Sequence, residues 1–367
     1  MAPIKIACVV GARPNFIKMA ALTHEIDRRP QFSYELIHTG QHFSSEMSQQ
    51  FFDDLGLPEP SHYLGVGSGS QTQQTAEIMQ MIEPVFEQSR PGLLLVVGDV
   101  TSTLAAALVA AKLSIPIAHV EAGLRSGDRR MPEEINRIVT DSVSDYLFAS
   151  EQSGMDNLRN EGVPEERLFL VGNVMIDTLL RFRDRAQESS VLSDLGLDSR
   201  AYAVATLHRP SNVDDNEQLG RLVEVLEEIS HHTPVVFPVH PRTRQQIESL
   251  GASTKGLRLT PPLGYLDFIQ LEANAQLVLT DSGGIQEETT ILGVPCLTLR
   301  ENTERPATIH EGTNRLTGVE PAAILSAALE VLAAPTTKGS TPQLWDAKAS
   351  GRILDVIEDH AQLLLHQ

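Results

Sequence analysis

Short apolar segments alternate with amphipathic segments along the first half of the chain, and this alternation limits the folds available to it. The strand-like segments occupy residues 4–10, 34–39, 93–98, 117–122 and 145–150, with helix-like segments between them. Strands that alternate with helices build a parallel sheet covered by helices on both faces. A doubly wound α/β domain is therefore predicted for this part of the chain.

A second series of the same kind follows the polar stretch at residues 183–201. Its strand-like segments are residues 202–207, 234–239, 257–260, 276–280 and 296–299. Two Rossmann-like domains in tandem, each with a parallel doubly wound sheet, are the simplest account of two such series.

The predicted boundary between the domains lies near Gly172, where a strand passes into a helix. A chain of 367 residues more often divides into two domains than builds one core. Residues 1–172 form the first predicted domain and residues 173–349 the second. The last helix, residues 350–367, is expected to join the first domain.

Composition excludes several classes of function. A formal net charge of -19 argues against a nucleic-acid surface and means that local cations must hold any anionic ligand. Cys8 and Cys296 fall in apolar segments, so we expect them to be buried, and no disulfide framework or zinc spacing is present. The chain enters a strand almost at once and has no apolar stretch of about 18 residues, which predicts a cytoplasmic protein without a membrane span.

Polar residues follow most of the predicted strands. Ligands of doubly wound sheets bind outside the carboxyl ends of the strands, so these positions are candidates for a binding site. We therefore expect a polar cleft between the domains. The residues concerned are Arg13 and Lys18, Asp99, Glu121, His208 and Arg209, His240 and Arg242, and the turn at 281–284.

The segment "LVLTDSGGIQEETTILGVPCLTL", residues 277–299, has the pattern of a strand, a tight turn, a helix and a second strand. The DSGG turn would lie at a helix N-terminus, which favours an anion, and Ser282 would add a hydroxyl donor. A nucleotide phosphate is predicted there, with Glu287 or Glu288 near its ribose. An ordinary helix cap with glycines for chain reversal is the alternative.

Arg13 and Lys18 could hold a diphosphate, since arginine can fork onto a phosphate and lysine supplies a point charge. A solvated turn followed by a helix surface is the alternative for these two residues. The stretch "GVGSGSQT" has Ser70 where the third glycine of a dinucleotide loop would stand. We therefore expect no nicotinamide cofactor, and the absence of metal-ligand spacing predicts no metal site.

Carboxylates also follow the strands of the first series. Asp99, Glu121 and the pair Glu133–Glu134 could transfer protons, because crowded carboxylates in a cleft raise at least one pKa toward neutrality. Each could instead cap a helix or form a salt bridge, and Asp99 precedes a Thr-Ser-Thr helix start. The sequence MPEEINR predicts a helix start with Arg137 one turn beyond Glu133.

Together these motifs resemble those of the non-hydrolysing UDP-N-acetylglucosamine 2-epimerase family. The resemblance spans almost the whole chain. It rests on GARPNFIK, HTGQH, GDVTST, HVEAGLRSGD, MPEEINR, TLHRPSN, TDSGGIQEE and RENTERP, in this order. It implies a homodimer of the glycosyltransferase B type and reversible inversion at C2, giving UDP-N-acetylmannosamine through elimination of UDP to 2-acetamidoglucal and re-addition.

The resemblance also implies roles for individual residues. Asp99, Glu121 and Glu133 match the catalytic carboxylates, and His208 matches the catalytic histidine near the leaving phosphate. The expected substrate-binding residues are Arg13, Lys18, Gln41, His42, Arg137 (phosphate), His240, Phe268 (uracil), Ser282, Gly283 and Gly284 (diphosphate), Glu288 (ribose) and Arg305.

The chain departs from the family pattern after the histidine. Many bacterial members continue as HRRE, and the extra arginine helps form a second UDP-sugar site that activates the enzyme. Here Pro210 and Ser211 replace that arginine and glutamate. Weak or absent substrate activation is therefore expected.

Other functions stay open on the sequence. The segment "HTGQHFSSEMSQQFFDDLGLPEP" also resembles epimerases of UDP-2,3-diacetamido-2,3-dideoxyglucuronic acid, whereas Arg305-Pro306 after Glu304 favours the N-acetylglucosamine enzymes. A hydrolysing relative would share most motifs. A glycosyltransferase would need an acceptor cleft, and a sugar-nucleotide sensor would need none of the three carboxylates.

Overall fold

The chain divides into two compact units. The structure, a computed structural model, describes residues 3–41, 52–251, 253–334 and 339–360. One unit is Met1–Arg181 together with Gln343–Gln367, and the other is Phe182–Pro342.

The first unit contains a fully parallel sheet with the strand order β3-β2-β1-β4-β5-β6-β7. Its central strand β4 is buried along its whole length, as expected for a sheet covered on both faces. The strands are β1 (Ile4–Val10), β2 (Phe32–His38), β3 (His62–Tyr63), β4 (Leu93–Val97), β5 (Ile117–Val120), β6 (Tyr146–Ala149) and β7 (Leu168–Leu170).

Helices alternate with these strands, and alternate side chains of each strand face different parts of the core. Ala7 and Val9, for example, pack in one buried cluster with Ile78 and Ala106 of two of the helices. The helices are α1 (Arg13–Ile26), α2 (Gln71–Ser89), α3 (Thr101–Lys112), α4 (Pro132–Val143), α5 (Gln152–Asn160) and α6 (Val174–Ala186), with a 3₁₀ turn at Glu165–Arg167.

The second unit contains another fully parallel sheet, with the order β10-β9-β8-β11-β12-β13. The strands are β8 (Ala203–Thr206), β9 (Val235–Pro238), β10 (Leu257–Thr260), β11 (Leu277–Thr280), β12 (Cys296–Thr298) and β13 (Asn314–Leu316). The helices are α7 (Val191–Asp194), α8 (Pro210–Val213), α9 (Asn216–Ser230), α10 (Pro241–Leu250), α11 (Tyr265–Ala273), α12 (Gly283–Leu292), α13 (Pro306–His310) and α14 (Pro321–Ala333).

The predicted fold class, two parallel doubly wound α/β sheets, is confirmed, and both cysteines are buried as predicted. Some predicted strands end earlier in the structure, as β5 does where Glu121 leaves the sheet. Two edge strands, β3 and β13, were not predicted because each is two or three residues long and largely polar. Among the described residues, none of the helices combines the length and the apolar composition that a membrane span requires.

A C-terminal helix, α15 (Ala349–Asp359), belongs to the first unit and packs against α1. Its N-terminus is held by Asp177 of α6, whose carboxylate accepts hydrogen bonds from the backbone N–H groups of Ala349 (3.1 Å) and Ser350 (2.7 Å). The hydroxyl of Ser350 donates to the same carboxylate at 2.7 Å. Asp177 therefore satisfies N–H groups that a helix end leaves without partners.

Both sheets reverse their strand order at one point. In the first unit the reversal lies between β1 and β4, and in the second unit between β8 and β11. Loops that leave neighbouring strands at such a point diverge and open a crevice at the carboxyl edge of the sheet. Each unit therefore has a defined position for a ligand-binding loop cluster.

Replacing Asp177 with Ala should loosen α15 from the first unit. The loss of two capping hydrogen bonds is expected to cost about 1 to 2 kcal/mol of local stability. Amide hydrogen exchange of residues 349–359 measures this opening directly. Asp184→Ala, an exposed position on the same helix, is the matched control and should leave the exchange rates unchanged. Equal protection in both variants would contradict the capping role.

Candidate active site

The crevice of the first unit is closed at its base by Asn15. The side-chain amide of Asn15 donates to the carbonyl oxygen of Val97 at 2.8 Å, and its side-chain oxygen accepts from the backbone N–H of Ala12 at 3.3 Å. The loop after β1 is thus tied to the end of β4, where the strand order reverses. Sequence reasoning missed Asn15, although it lies inside the GARPNFIK motif.

Lys18 and Glu121 meet in this crevice as a buried ion pair. Their side chains are only 5% and 2% exposed, so little water screens the charges. Gly98 forms the adjoining wall, because a Cβ atom there would lie 3.1 Å from Glu121 Oε2 and 3.3 Å from Lys18 Nζ. The predicted carboxylate and one predicted cation are therefore brought together, with Lys18 facing Glu121.

Asp99 and Arg137 form a second ion pair in the same unit. The N-cap of α3 is Val100, so the structure does not support Asp99 as the cap of that helix. The guanidinium of Arg137 also contacts Glu134 Oε2 at 2.6 Å and is itself buried. Asp99 is more open, with 27% of its side chain exposed, and can reach a ligand.

Glu134 is the residue of α4 that holds the neighbouring loop. Its carboxylate accepts from the backbone N–H groups of Ser126 (3.0 Å) and Gly127 (2.9 Å). Burial alone would raise the pKa of Glu134, but the hydrogen bonds from Ser126 and Gly127 and the charge of Arg137 lower it below its usual value. Glu133 is half-buried, and its side chain has no hydrogen bond or ion pair among the described residues.

Two other predicted residues of the first unit, Gln41 and Arg13, lie near its loops. Gln41 is buried, and its side-chain oxygen accepts from the backbone N–H (3.1 Å) and hydroxyl (2.7 Å) of Ser102 at the start of α3. Arg13 is the first residue of α1, and burial lowers the pKa of its guanidinium. His42 lies outside the described residues.

In the crevice of the second unit, Asp281 organises His208. The buried carboxylate of Asp281 accepts from the backbone N–H groups of His208 (3.1 Å) and Arg209 (3.0 Å) and from the side-chain amide of Asn212 (3.1 Å). It also faces Nδ1 of the His208 ring at 2.8 Å. The side chain of His208 is 60% exposed, so the ring can contact a ligand while Asp281 faces its Nδ1.

Charge keeps Asp281 ionised. Burial alone would raise its pKa, but the charge and hydrogen bond of His208 lower the pKa below its usual value, together with hydrogen bonds from the backbone N–H of Arg209 and the side-chain amide of Asn212. Sequence reasoning included Asp281 only as part of the DSGG turn. Its place directly after a strand, opposite His208, is the signal that could have identified it.

The DSGG turn begins α12, with Ser282 as the N-cap residue. The side chain of Ser282 makes no capping hydrogen bond within the described part of the chain, so its hydroxyl and the first N–H groups of α12 can bind an anion. Gly283 also lies against Arg305. A Cβ atom there would lie 2.7 Å from Cζ of Arg305, so the glycine makes room for the Arg305 guanidinium.

Arg305 belongs to a buried group of charges centred on Glu304. Arg305 Nη1 donates to Glu304 Oε1 at 2.5 Å, Arg300 Nη2 donates to Oε2 at 2.7 Å, and Arg209 Nη2 approaches Oε1 at 3.3 Å. Arg305 Nε donates to Glu287 at 2.8 Å. Burial alone would raise the pKa of Glu304, but the three arginines hold it well below its usual value.

The remaining predicted residues lie on or near α10, α11 and α12. Glu288 is buried and accepts a hydrogen bond from the hydroxyl of Tyr265 at 3.3 Å. Phe268, half-buried on α11, packs against the core of the second unit. His240 is exposed and caps α10, with Nδ1 accepting from the N–H of Arg242 at 3.4 Å. Gly284 follows Gly283 in the first turn of α12.

These arrangements define two kinds of chemistry. The first unit carries carboxylates beside fixed cations, an arrangement suited to proton transfer. The second unit carries a helix N-terminus and an oriented imidazole, which suit an anionic ligand and a leaving phosphate. Within the described ranges, no three His, Cys, Asp or Glu side chains form a metal-binding group.

The family is shown by comparison with known proteins. The sequence profile of the UDP-N-acetylglucosamine 2-epimerase family matches residues 24–358, most of the chain. The chain belongs to this family of isomerases.

Individual relatives agree with that assignment. UDP-N-acetylglucosamine 2-epimerase of Methanocaldococcus jannaschii is 42% identical over 326 residues, 86% of this chain and 88% of the relative. UDP-2,3-diacetamido-2,3-dideoxy-D-glucuronate 2-epimerase of Pseudomonas aeruginosa is 46% identical over 319 residues, again 86% and 88%. The crystal structure of the Methanocaldococcus jannaschii enzyme in complex with UDP-GlcNAc and UDP superposes with a TM-score of 0.91, covering 97% of this chain and 99% of that one at 39% identity.

The Glu304→Gln variant should lose less free energy of unfolding than the wild type as the pH falls. A carboxyl group whose folded pKa lies below its unfolded value of 4.5 stabilises the fold above that pH and loses this contribution as pH falls. The substitution should cost about 3 to 5 kcal/mol near neutrality, because the buried Arg300 and Arg305 and the half-buried Arg209 lose a counter-charge. The difference in free energy of unfolding between wild type and variant should then decrease by up to about 1.4 kcal/mol per pH unit below 4.5.

Urea unfolding followed by circular dichroism at several pH values measures this gap. Glu228→Gln is the matched control, because Glu228 lies in the same unit with 54% of its side chain exposed. A gap for Glu304→Gln that stays constant as pH falls would contradict the depressed pKa.

Proposed function

We propose that this protein interconverts UDP-N-acetylglucosamine and UDP-N-acetylmannosamine by inverting C2. The observation that carries the proposal is the set of carboxylates held beside cations at the carboxyl edge of the first sheet, Glu121 with Lys18 and Asp99 with Arg137. Inversion at a carbon requires a proton to leave one face and return to the other, so acid–base groups must be fixed around it. Family membership supports this reaction.

The chemistry favours elimination. The C2 hydrogen of an intact sugar is not acidic, since no carbonyl adjoins it. The stretch GVGSGSQT has Ser70 in place of the third glycine of a dinucleotide loop, so we expect no nicotinamide cofactor to oxidise the sugar. A base takes the C2 proton while the C1–O bond breaks, and the bonding electrons leave with the phosphate oxygen of UDP. The resulting 2-acetamidoglucal takes UDP back at C1 and a proton at C2 from the opposite face.

We assign the proton transfers to Asp99, Glu121 and Glu133. Asp99 is partly exposed, and Glu121 is fixed against Lys18. His208 acts at the leaving phosphate, because Asp281 faces its Nδ1 while the exposed ring can contact a ligand. A donor fixed at that oxygen stabilises the negative charge that develops on departure.

The second unit supplies the diphosphate, ribose and uracil contacts that we propose for UDP. Ser282, Gly283 and Gly284 with the N-terminus of α12 hold the diphosphate, and Glu288 accepts the ribose hydroxyls. Phe268 adjoins the uracil. The other proposed substrate-binding residues are Arg13, Lys18, Gln41, His42, Arg137, His240 and Arg305. We also propose a homodimer, as the sequence resemblance implies, and a cytoplasmic location.

A second substrate is favoured by one observation. The Pseudomonas aeruginosa relative that acts on a diacetamido glucuronate is 46% identical to this chain, slightly more than the Methanocaldococcus jannaschii relative at 42%. The same elimination chemistry would serve that substrate. Hydrolysis with release of free N-acetylmannosamine and UDP is a further outcome of the same intermediate, if water replaces UDP.

Proton NMR in deuterated water tests the reaction. UDP-N-acetylglucosamine should give UDP-N-acetylmannosamine with deuterium at C2, because the proton removed exchanges with solvent. Asp99→Asn should lower the rate by about 100-fold or more. Asp156→Asn, an exposed position of the same unit, is the matched control and should retain the rate.

Each other result points to a different function. Free N-acetylmannosamine would identify a hydrolysing enzyme, and turnover of only the diacetamido uronate would identify that substrate. Epimerisation without deuterium at C2 would contradict proton removal. No reaction with either sugar would leave a transferase or a sensor.

Hyperbolic kinetics are expected, because Pro210 and Ser211 replace the arginine and glutamate that help form an activating site in many bacterial members. UDP-N-acetylmannosamine should be epimerised without added UDP-N-acetylglucosamine. Initial rates over a range of concentrations of each sugar measure this. Strict dependence on added UDP-N-acetylglucosamine would refute the expectation.

A further inference from the structure

Glu121 has an unusual backbone conformation. Its φ angle is +68°, in the left-handed region, although it is not a glycine and its side chain is buried. Such a conformation costs about 1 to 3 kcal/mol and persists only where surrounding contacts hold it. The contacts that hold Glu121 are therefore part of what the site requires.

The buried carboxylate of Asp141 contacts the chain on both sides of Glu121. Asp141 Oδ1 lies 2.6 Å from Nδ1 of His119, two residues before Glu121. Asp141 Oδ2 accepts the backbone N–H of Gly123, two residues after it, at 3.0 Å. With both flanks fixed to one side chain of α4, the turn at residue 121 has little freedom.

The other nitrogen of His119 ties in the neighbouring loop. Nε2 lies 2.9 Å from the carbonyl oxygen of Gly98. A carbonyl oxygen can only accept, so Nε2 carries a hydrogen, and Nδ1 also faces an acceptor in Asp141. When Asp141 is ionised beside Arg125, both ring nitrogens face acceptors, and a ring with a hydrogen on each nitrogen satisfies both contacts.

We propose that His119 and Asp141 form a buried imidazolium–carboxylate pair that positions Glu121 for proton transfer. The pair fixes the left-handed turn at residue 121 and fixes Gly98, the wall next to the Glu121 carboxylate. His119 and Asp141 are positioning residues, because they act through Glu121. The proposal rests on the role proposed above for Glu121.

Surrounding charges are consistent with this pair. Arg125 Nη1 lies 2.7 Å from Asp141 Oδ2, and Arg125 is held in turn by Glu161 at 2.7 Å. Two cations and two carboxylates thus balance each other. Burial alone would raise the pKa of Asp141, but the charges and hydrogen bonds of His119 and Arg125 lower it below its usual value.

The protonation of His119 can be observed without any assay of activity. In protein labelled with ¹⁵N at histidine, nitrogen–proton correlation spectra should show hydrogens on both ring nitrogens of His119. The signals are assigned by their loss in His119→Gln, with His231→Gln, an exposed histidine, as the matched control. A His119 ring with hydrogen on only one nitrogen would overturn the imidazolium pair.

Two substitutions of Asp141 then separate the effect of its hydrogen-bond contacts from the effect of its negative charge. Asparagine can still accept from Gly123 N–H and can donate to Nδ1 of a neutral His119, whereas alanine loses both contacts. We expect kcat to fall by about 100-fold in Asp141→Ala, because a displacement of about 1 Å has effects of that size, and by roughly tenfold in Asp141→Asn. UDP affinity, measured by calorimetry, should stay within about threefold in both variants, since the loss would fall on the chemical step and not on binding.

The outcomes distinguish this proposal from the proposed function. Wild-type epimerisation with an undiminished kcat in Asp141→Ala would overturn the positioning role and leave the function intact. If the wild type turned over no sugar, the proposed function would be wrong. Hydrogens on both ring nitrogens of His119, and shifted amide signals of Gly98 and Gly123 in Asp141→Asn, would still support the His119–Asp141 pair. If Asp141→Ala does not fold, Asp141→Asn and the wild-type spectra carry the test.

Discussion

Within each unit, buried carboxylates that accept hydrogen bonds from loop amides fix the loops that carry the candidate site residues. Asp281 fixes the loop after β8, Asp141 fixes the turn after β5, and Glu134 fixes the loop that follows. Loops at the carboxyl edge of a parallel sheet leave backbone N–H groups without strand partners, and a buried N–H group must find an acceptor. Charged acceptors give the strongest such bonds, so the loops have defined shapes without regular secondary structure.

The fold could be predicted because its signal is local. Apolar strands alternate with helices at regular spacing, and burial of both faces of each sheet keeps the strands apolar throughout, as in β4 and β11. The edge strands β3 and β13 lack this pattern, since they are short and bury few residues. Their pairing depends on the neighbouring strand and not on their own composition.

Candidate site residues at strand ends could be proposed from the sequence, whereas the loop contacts made by Glu134 and Asp141 of α4 could not. Residues such as Asp99 and His208 follow strands directly, so the rule for doubly wound sheets identified them. Glu134 and Asp141 lie on the polar face of α4, which the usual amphipathic pattern assigns to solvent. In this helix the polar face is buried against the loops, while Ile135 and its apolar neighbours are only half-buried. Sequence periodicity alone cannot show that inversion.

The pairing of Lys18 with Glu121 limits how the chain can change during evolution. Both side chains are nearly excluded from water, so losing either one leaves the other as an uncompensated buried charge. Such a loss costs about 3 to 5 kcal/mol, a large part of the 5 to about 15 kcal/mol that stabilises a typical domain. Descendants of this sequence can therefore replace the two residues only together, or after substitutions at other positions have increased the stability of the fold. Positions 18 and 121 should accordingly change together.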